Sequence, residues 1–283
     1  MNIKRLIVFI AATLISVMTF AQAQINTKKV KIGDFTQKIT KIVLTGNLFY
    51  DTTLEDEIVA RWRISPYEFC TLEEFEQLKG NDEYYFLLTI KGQFKKECEP
   101  GLQFLTLVKG GEKAEKGISA MLEVVSLPFA SAESPSGRET VFFPAFIDIL
   151  QEYTLKSLDR DLHAYSGLSN YSLALSKTKD MTIVFSEDDL STEITKDIID
   201  NYFVEGMLIT DEGDADKYMT DSESNTVVSY VVAPTTPKAG SYCYKMLFDN
   251  QSHTLYYFRK HRISTGVGVG FLAEDIKRIA SHR

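Results

Sequence analysis

The sequence predicts a mixed α/β protein made of two tandem units, each with the order βαβαβββα. Short β-rich runs alternate with segments whose apolar residues recur every three to four positions. Near the end of the second half, two strand-like runs lie either side of a polar turn, as in a hairpin. The whole order of eight elements then occurs twice, which is the mark of an internal duplication. Strands separated by helices should pair in parallel and strands joined by turns antiparallel, so each unit is expected to be a mixed sheet with helices packed on it.

In the first half, a polar lead-in over 25–40 carries a candidate strand at 30–35, followed by a short run at 41–44. Leu54, Ile58 and Trp62 recur at helical spacing, with Asp51, Thr52 and Thr53 as N-cap candidates and Pro66 just beyond. A strand at 67–70 leads to Thr71, which forms a capping box with Glu74 ahead of Leu72, Phe75 and Leu78. Strands are expected at 84–90, 103–108 and 120–127, and an exposed loop at 128–137. A helix with Phe142, Phe146, Ile149, Leu150 and Tyr153 on one face follows, and Pro144 is tolerated in its first turn.

The second half repeats the order: a strand at 181–185, a helix marked by Ile194, Ile198, Ile199 and Tyr202, a strand at 206–210, an acidic helix at 214–220, a strand at 227–232, a hairpin of 242–248 and 254–263, and a last helix marked by Phe271, Leu272, Ile276 and Ile279. Val43 to Ile183, Trp62 to Tyr202 and Phe69 to Ile209 are each 140 residues apart, and Tyr85 to Val228 is 143. Alternation at Tyr242, Tyr244, Met246 and Phe248 turns that face of its strand to the core, leaving Cys243, Lys245 and Leu247 on a half-apolar face. The expected organisation is a signal peptide over 1–23, a first unit over 24–158, a linker over 159–179 with Gly167, Ser169, Asn170 and Ser172, and a second unit over 180–283.

The N-terminus has the parts of a cleavable signal: Lys4 and Arg5, an apolar run over 6–20, and Ala21-Gln22-Ala23 before the expected cleavage. The signal takes two of the 31 basic residues and none of the 39 acidic ones, so the mature chain carries a formal charge of −10. That charge, without a Lys/Arg block, fits neither nucleic acid nor an anionic membrane as partner. No later stretch reaches 18 apolar residues, so no membrane insertion of the mature chain is expected. Cys70, Cys98 and Cys243 leave at least one thiol without an intrachain partner. They read as buried thiols, and the spacing allows a Cys70–Cys98 bond without fixing it.

The hairpin from Met246-Leu247-Phe248-Asp249 to His253-Thr254-Leu255-Tyr256-Tyr257, ahead of the last helix, resembles the small α/β unit of the periplasmic part of the curli secretion protein CsgG and of the N-terminal domain of TolB. In that family a Thr-Gly commonly stands in the turn; here Gln251-Ser252-His253-Thr254 takes its place, and Val108-Lys109-Gly110-Gly111 stands at the matching point of the first half. The resemblance implies a periplasmic adaptor or assembly role and brings no catalytic residues.

No motif calls for a metal or a cofactor. Gly266, Gly268 and Gly270 lie between a strand and a helix, but Phe271 replaces the third glycine of a dinucleotide loop and Leu272-Ala273 replace the Lys-Ser/Thr of a Walker loop. Asp211, Glu212, Asp214 and Asp216 fail the calcium-loop register, since Asp216 and Ser222 occupy the positions that need Gly and Glu. His163, His253 and His261 come with no nucleophile motif. Arg259, Lys260, His261 and Arg262 form a short basic run on an acidic chain, a candidate docking surface or a solvated strand face. Two function classes follow: a non-catalytic exported envelope protein that binds another envelope protein or supports its assembly, periplasmic rather than extracellular by the resemblance, or a secreted enzyme or carbohydrate-binding protein whose site lies between the two units.

Overall fold

The computed structural model describes residues 32–92, 100–159, 174–221 and 225–283. The signal at 1–23, Cys98, His163 and most of the linker fall outside them. The first unit runs β1 (Ile39–Val43), α1 (Leu48–Arg61), β2 (Tyr67–Cys70), α2 (Leu72–Leu78), β3 (Tyr84–Gly92), β4 (Leu102–Lys109), β5 (Leu122–Ser131) and α3 (Phe143–Asp159). The second runs β6 (Thr182–Ser186), α4 (Lys196–Tyr202), β7 (Met207–Thr210), α5 (Glu212–Thr220), β8 (Thr226–Val232), β9 (Tyr242–Asp249), β10 (Leu255–Arg262) and α6 (Ala273–Ala280). The protein is therefore mixed α/β, with the element order expected from the sequence.

The two sheets have the same topology. Their strand orders are β2-β1-β3-β4-β5 and β7-β6-β8-β9-β10. In each, the first strand pairs in parallel with its two neighbours and the last two pairings are antiparallel. The step from β1 to β2 moves one way along the sheet and the step from β2 to β3 moves back past β1. Right-handed crossovers then put α1 and α2 on opposite faces. The packing agrees: Leu54 and Ile58 of α1 join Ile42, Tyr85 and Leu87, whereas Phe75 of α2 joins Val43, Cys70 and Phe86 on the other side.

The sheets stack through the helices between them. Phe146 of α3 meets Phe129 of β5 at 5.3 Å between ring centroids, and Tyr230 of β8 and Phe248 of β9 at 5.7 and 5.5 Å. Phe104 of β4 reaches Tyr244 of β9 at 6.1 Å, linking sheet to sheet directly. From one side to the other the layers are α2, the first sheet, then α1 and α3 with α5, then the second sheet, then α4 and α6. The β4–β5 connection over 110–121 folds back so that Ala114 and Met121 close the outer face of the first sheet. The matching β9–β10 connection, 250–254, is a tight turn.

Several expectations are corrected. Among described residues 32–35 there is no strand; Phe35–Gln37 is a single 3-10 turn. Helix α1 begins a turn early, with Asn47 as N-cap, and Asp51 instead accepts from the Thr45 and Gly46 amides, each at 2.8 Å. Strand β5 runs on to Ser131, so only 133–137 of the expected loop is exposed. Both faces of β9 are buried: Cys243, Lys245 and Leu247 pack under α6 while Tyr244, Met246 and Phe248 face α3. Lys245 is accommodated there because its ammonium meets the carboxylate of Asp275, itself held by Tyr257 Oη at 2.5 Å and the Leu272 amide at 2.8 Å. The constant spacing also slips at its first pair. Val43 pairs with Cys70 and Ser186 with Thr210, so strands β1 and β6 correspond at 143 while β2 and β7 correspond at 140. The capping box of Thr71 and Glu74 is present, with hydrogen bonds of 3.2 and 2.7 Å.

Glu123 on β5 lies opposite Val108, and its Oε1 is buried with no hydrogen-bond partner. Burial alone pushes its carboxyl from 4.5 up to about 8. The unfolded chain ionises this group first, so the folded state loses stability as pH rises from the ordinary value through about 8. Glu123→Gln removes the charge and keeps the shape. It is expected to melt with the parent near about pH 4 and to be more stable by about 1–3 kcal/mol near about pH 8. Equal melting temperatures at the higher pH would show that the carboxylate reaches solvent.

Candidate functional site

In open α/β sheets, ligands bind outside the carboxyl ends of parallel strands, where neighbouring strands send their connections to opposite faces. In the second sheet that place lies beyond β6 and β7. It is also where the first unit touches the second. After β5, residues 133–137 form an exposed strap of small and turn-forming residues, ended by Gly137 at φ 89°. Glu139 Oε2 accepts from the Gly137 amide at 3.0 Å and folds the strap back. Arg138 is thereby turned into the second unit.

The guanidinium of Arg138 uses all three of its nitrogens there. Nη1 donates to both carboxylate oxygens of Asp189 at 3.0 Å, Nε donates to Asp216 Oδ1 at 2.7 Å, and Nη2 donates to the Ser229 carbonyl at 3.0 Å. Its Cζ stands 5.3 Å from the Phe142 ring centroid and 5.5 Å from that of Tyr230. The Arg138 and Asp189 side chains are each only 4 % exposed. Asp189 belongs to the turn after β6 and is held by Ser229 Oγ at 2.5 Å, whose own oxygen accepts from the Ser186 amide at 3.0 Å. Burial pulls the guanidinium pKa down, and the charges of Asp189 and Asp216 more than reverse this, so the group is held ionised. Burial raises the Asp216 carboxyl against the pull of Arg138, and burial likewise raises Glu212.

The remaining space at this junction is a cleft of about 240 Å³, walled by Ser131, Ser134, Ser136, Asp188, Glu212 and Val269 among others. That is below the roughly 300–1,000 Å³ of sites that enclose an organic ligand. No histidine or cysteine lines it. A larger cleft of about 870 Å³ lies on the first unit beside Asp34, Asn81 and Lys109–Gly111. Its central carboxylate is already satisfied: Asp34 accepts from Lys109 Nζ at 2.7 Å and Tyr85 Oη at 2.6 Å. Burial works against ionisation there, yet these bonds and Lys38 hold the carboxyl down at about 2.

The residues singled out in the sequence are distributed as follows. Strand alternation along β10 divides the basic run. Arg259 and His261 share the α6 face with Asp275 and Cys243, Lys260 lies with its Nζ 5.2 Å from the Tyr242 ring centroid, and Arg262 is exposed. His261 Nε2 is 2.7 Å from the Gly268 carbonyl, its Nδ1 is buried without a partner, and burial lowers its pKa. His253, at φ 55° in the β9–β10 turn, crosses to the first unit, with Nδ1 2.7 Å from Asp148 Oδ2. The glycine-rich segment is packed structure: at Gly270, φ 99°, an added Cβ would stand 2.7 Å from the Asp189 carbonyl. Asp211 caps α5 through the Asp214 amide at 2.9 Å, and Asp214 pairs with Lys217 at 2.5 Å. Cys70 and Cys243 are free and buried, and burial pushes their thiols up to about 11 and about 12. Among the described residues no group of three or more His, Cys, Asp or Glu is arranged to hold a metal ion, and no helix is long and apolar enough to cross a membrane.

Arg138 was missed by sequence reasoning. Its one local signal is a lone arginine directly after Ser134-Pro135-Ser136-Gly137 and shortly ahead of an apolar helix.

Removing one partner of a buried ion pair strands the other. Arg138→Ala is therefore expected to lose about 3–5 kcal/mol in urea unfolding, and Arg138→Lys a substantial part of that, because an ammonium cannot span Asp189, Asp216 and the Ser229 carbonyl together. A loss below about 1 kcal/mol for Arg138→Ala would show that the two carboxylates are solvated rather than confined. The chain matches no protein-family model, no curated protein and no solved structure, so its chemistry is read from this geometry.

Proposed function

We propose that this is a non-catalytic exported envelope protein that binds another envelope protein, with the first unit's strand-end edge as its contact surface. The observation that carries this reading is a set of apolar side chains displayed on fixed backbone. Leu48 and Phe49 open α1 at 82 % and 69 % exposed, and Leu72 opens α2 at 53 %. They follow the carboxyl ends of the adjacent strands β1 and β2, so they stand at one edge of the sheet. The backbone beneath is rigid: Asp51 holds the Thr45 and Gly46 amides, and Tyr50 Oη bonds Thr89 Oγ1 at 2.6 Å. Exposed apolar groups whose ordering cost is already met are what a protein partner's hot spot requires.

The equivalent edge of the second unit is closed by Arg138, and the cleft there is small and internally paired. This weighs against an enzyme or a carbohydrate-binding protein with its site between the units. Export and a periplasmic location rest on the signal-like N-terminus and the family resemblance.

The test is affinity capture from the native envelope with the mature chain and with a Leu48→Ser/Phe49→Ser variant. Both positions are solvent-facing, so the variant should keep the parent's stability within about 0.5 kcal/mol. A specific envelope protein should co-purify with the parent and fall at least about tenfold with the variant. Undiminished capture, or turnover of any substrate in a broad panel, would overturn the reading.

A further inference from the structure

The contact surface proposed above lies on the first unit; the Arg138 crevice lies on the second. We propose that the crevice at the carboxyl edge of β6 and β7 is a binding site for a guanidinium group, filled in the resting chain by Arg138 as an internal occupant, and that its external ligand is an arginine side chain on an extended peptide. This inference does not depend on the partner-binding reading.

Three features make the crevice specific for guanidinium rather than for any cation. Asp189, Asp216 and the Ser229 carbonyl approach from three directions and take one hydrogen bond or more from each nitrogen, a pattern that fits a planar fork. The Tyr230 ring lies within 5.5 Å of Cζ, as a stacking surface for a flat ion. The receiving carboxylate is fixed beforehand, since Ser229 Oγ donates to Asp189 and is itself held by the Ser186 amide. All of these groups belong to the second unit, and they sit where α/β sheets bind ligands.

The occupant, by contrast, is carried on a surface strap whose backbone ties are local, from the Gly137 amide to Glu139 Oε2 at 3.0 Å and from the Arg138 amide to Ser136 Oγ at 3.2 Å. Residues 133–137 are exposed, with no large apolar side chain among them. On either side, Ser131 Oγ contacts Thr235 Oγ1 at 2.7 Å, and Gly137 supplies a left-handed backbone at which the strap can pivot. Lifting 133–138 would open the crevice without dismantling β5 or α3. The arrangement is an autoinhibitory contact in which the protein's own arginine stands in for a partner's.

The experiment uses the full mature chain with Arg138→Gly, which empties the crevice and keeps its acceptors. Ethylguanidinium, titrated at constant ionic strength, should raise the melting temperature of Arg138→Gly in a saturable way and leave the parent unmoved, while ethylammonium should be at least about tenfold weaker. A capped Gly-Arg-Gly peptide should bind Arg138→Gly at least about tenfold tighter than it binds the parent, and tighter than the lysine peptide. Adding Asp189→Asn and Asp216→Asn should abolish both responses. If Arg138→Gly does not fold unaided, refolding with ethylguanidinium, followed by Trp62 fluorescence, becomes the readout, and recovery with it but not with ethylammonium supports the site. A response equal for the two cations, or none, in either format overturns it.

Discussion

Helix α3 is buried on nearly every side, and the arrangement of both units depends on it. From Phe143 to Thr154 only Pro144, Asp148 and Glu152 escape full burial. Its apolar residues cover most of the circumference and leave Pro144, Asp148, Glu152 and Lys156 as one stripe toward solvent, so the rest must be enclosed. Here the first unit supplies one wall through Phe129 and the second supplies the other through Tyr230 and Phe248. Neither sheet alone would cover the helix, so the two units cannot separate without exposing it. The Arg138 clamp immediately ahead of α3 and the Arg61–Asp148–His253 contacts beside it, at 2.9 and 2.7 Å, fasten the same junction.

The two outer faces of the stack differ from the enclosed junction. Each unit offers one face bearing a pair of helices and one face bearing a single helix, and at the junction the paired-helix face of the first meets the single-helix face of the second. The two remaining faces are polar on one unit and covered on the other. On the second unit, α4 and α6 turn Lys196, Asp197, Asp200, Glu274, Lys277 and Arg278 outward. On the first, the connection over 110–121 lies across the apolar residues of the sheet.

The fold was legible where local patterning and tertiary packing agree. The order of elements, the hairpin and the Thr71 capping box all follow from periodicity and cap chemistry. What was not legible depends on distant partners. Lys245 looked like the polar position of a half-apolar face because its counter-charge, Asp275, is 30 residues away on a helix. Asp51 looked like a cap because its true partners, the amides of Thr45 and Gly46, leave no side-chain signature. The 140-residue spacing misaligned β1 with β6 because loop lengths changed between the halves. Arg138 could not be recognised as a clamp from a loop sequence, since Asp189 and Asp216 come from two other elements. Leu48 and Phe49 stand outside the apolar spacing of Leu54, Ile58 and Trp62, and their exposure appears only once Asn47 is seen to start the helix.

The functional account rests on the two units forming one body, with the first unit's strand-end edge open and the second unit's edge closed. Unfolding tests that unity directly. Trp62, the one tryptophan, reports on the first unit. Cys243, buried under α6, reports on the second through its reaction with a thiol reagent in a Cys70→Ser/Cys98→Ser background. Across a denaturant titration the account predicts a single transition, with Trp62 fluorescence and Cys243 reactivity coincident in midpoint. Two separated transitions, with one probe released while the other stays native, would contradict it.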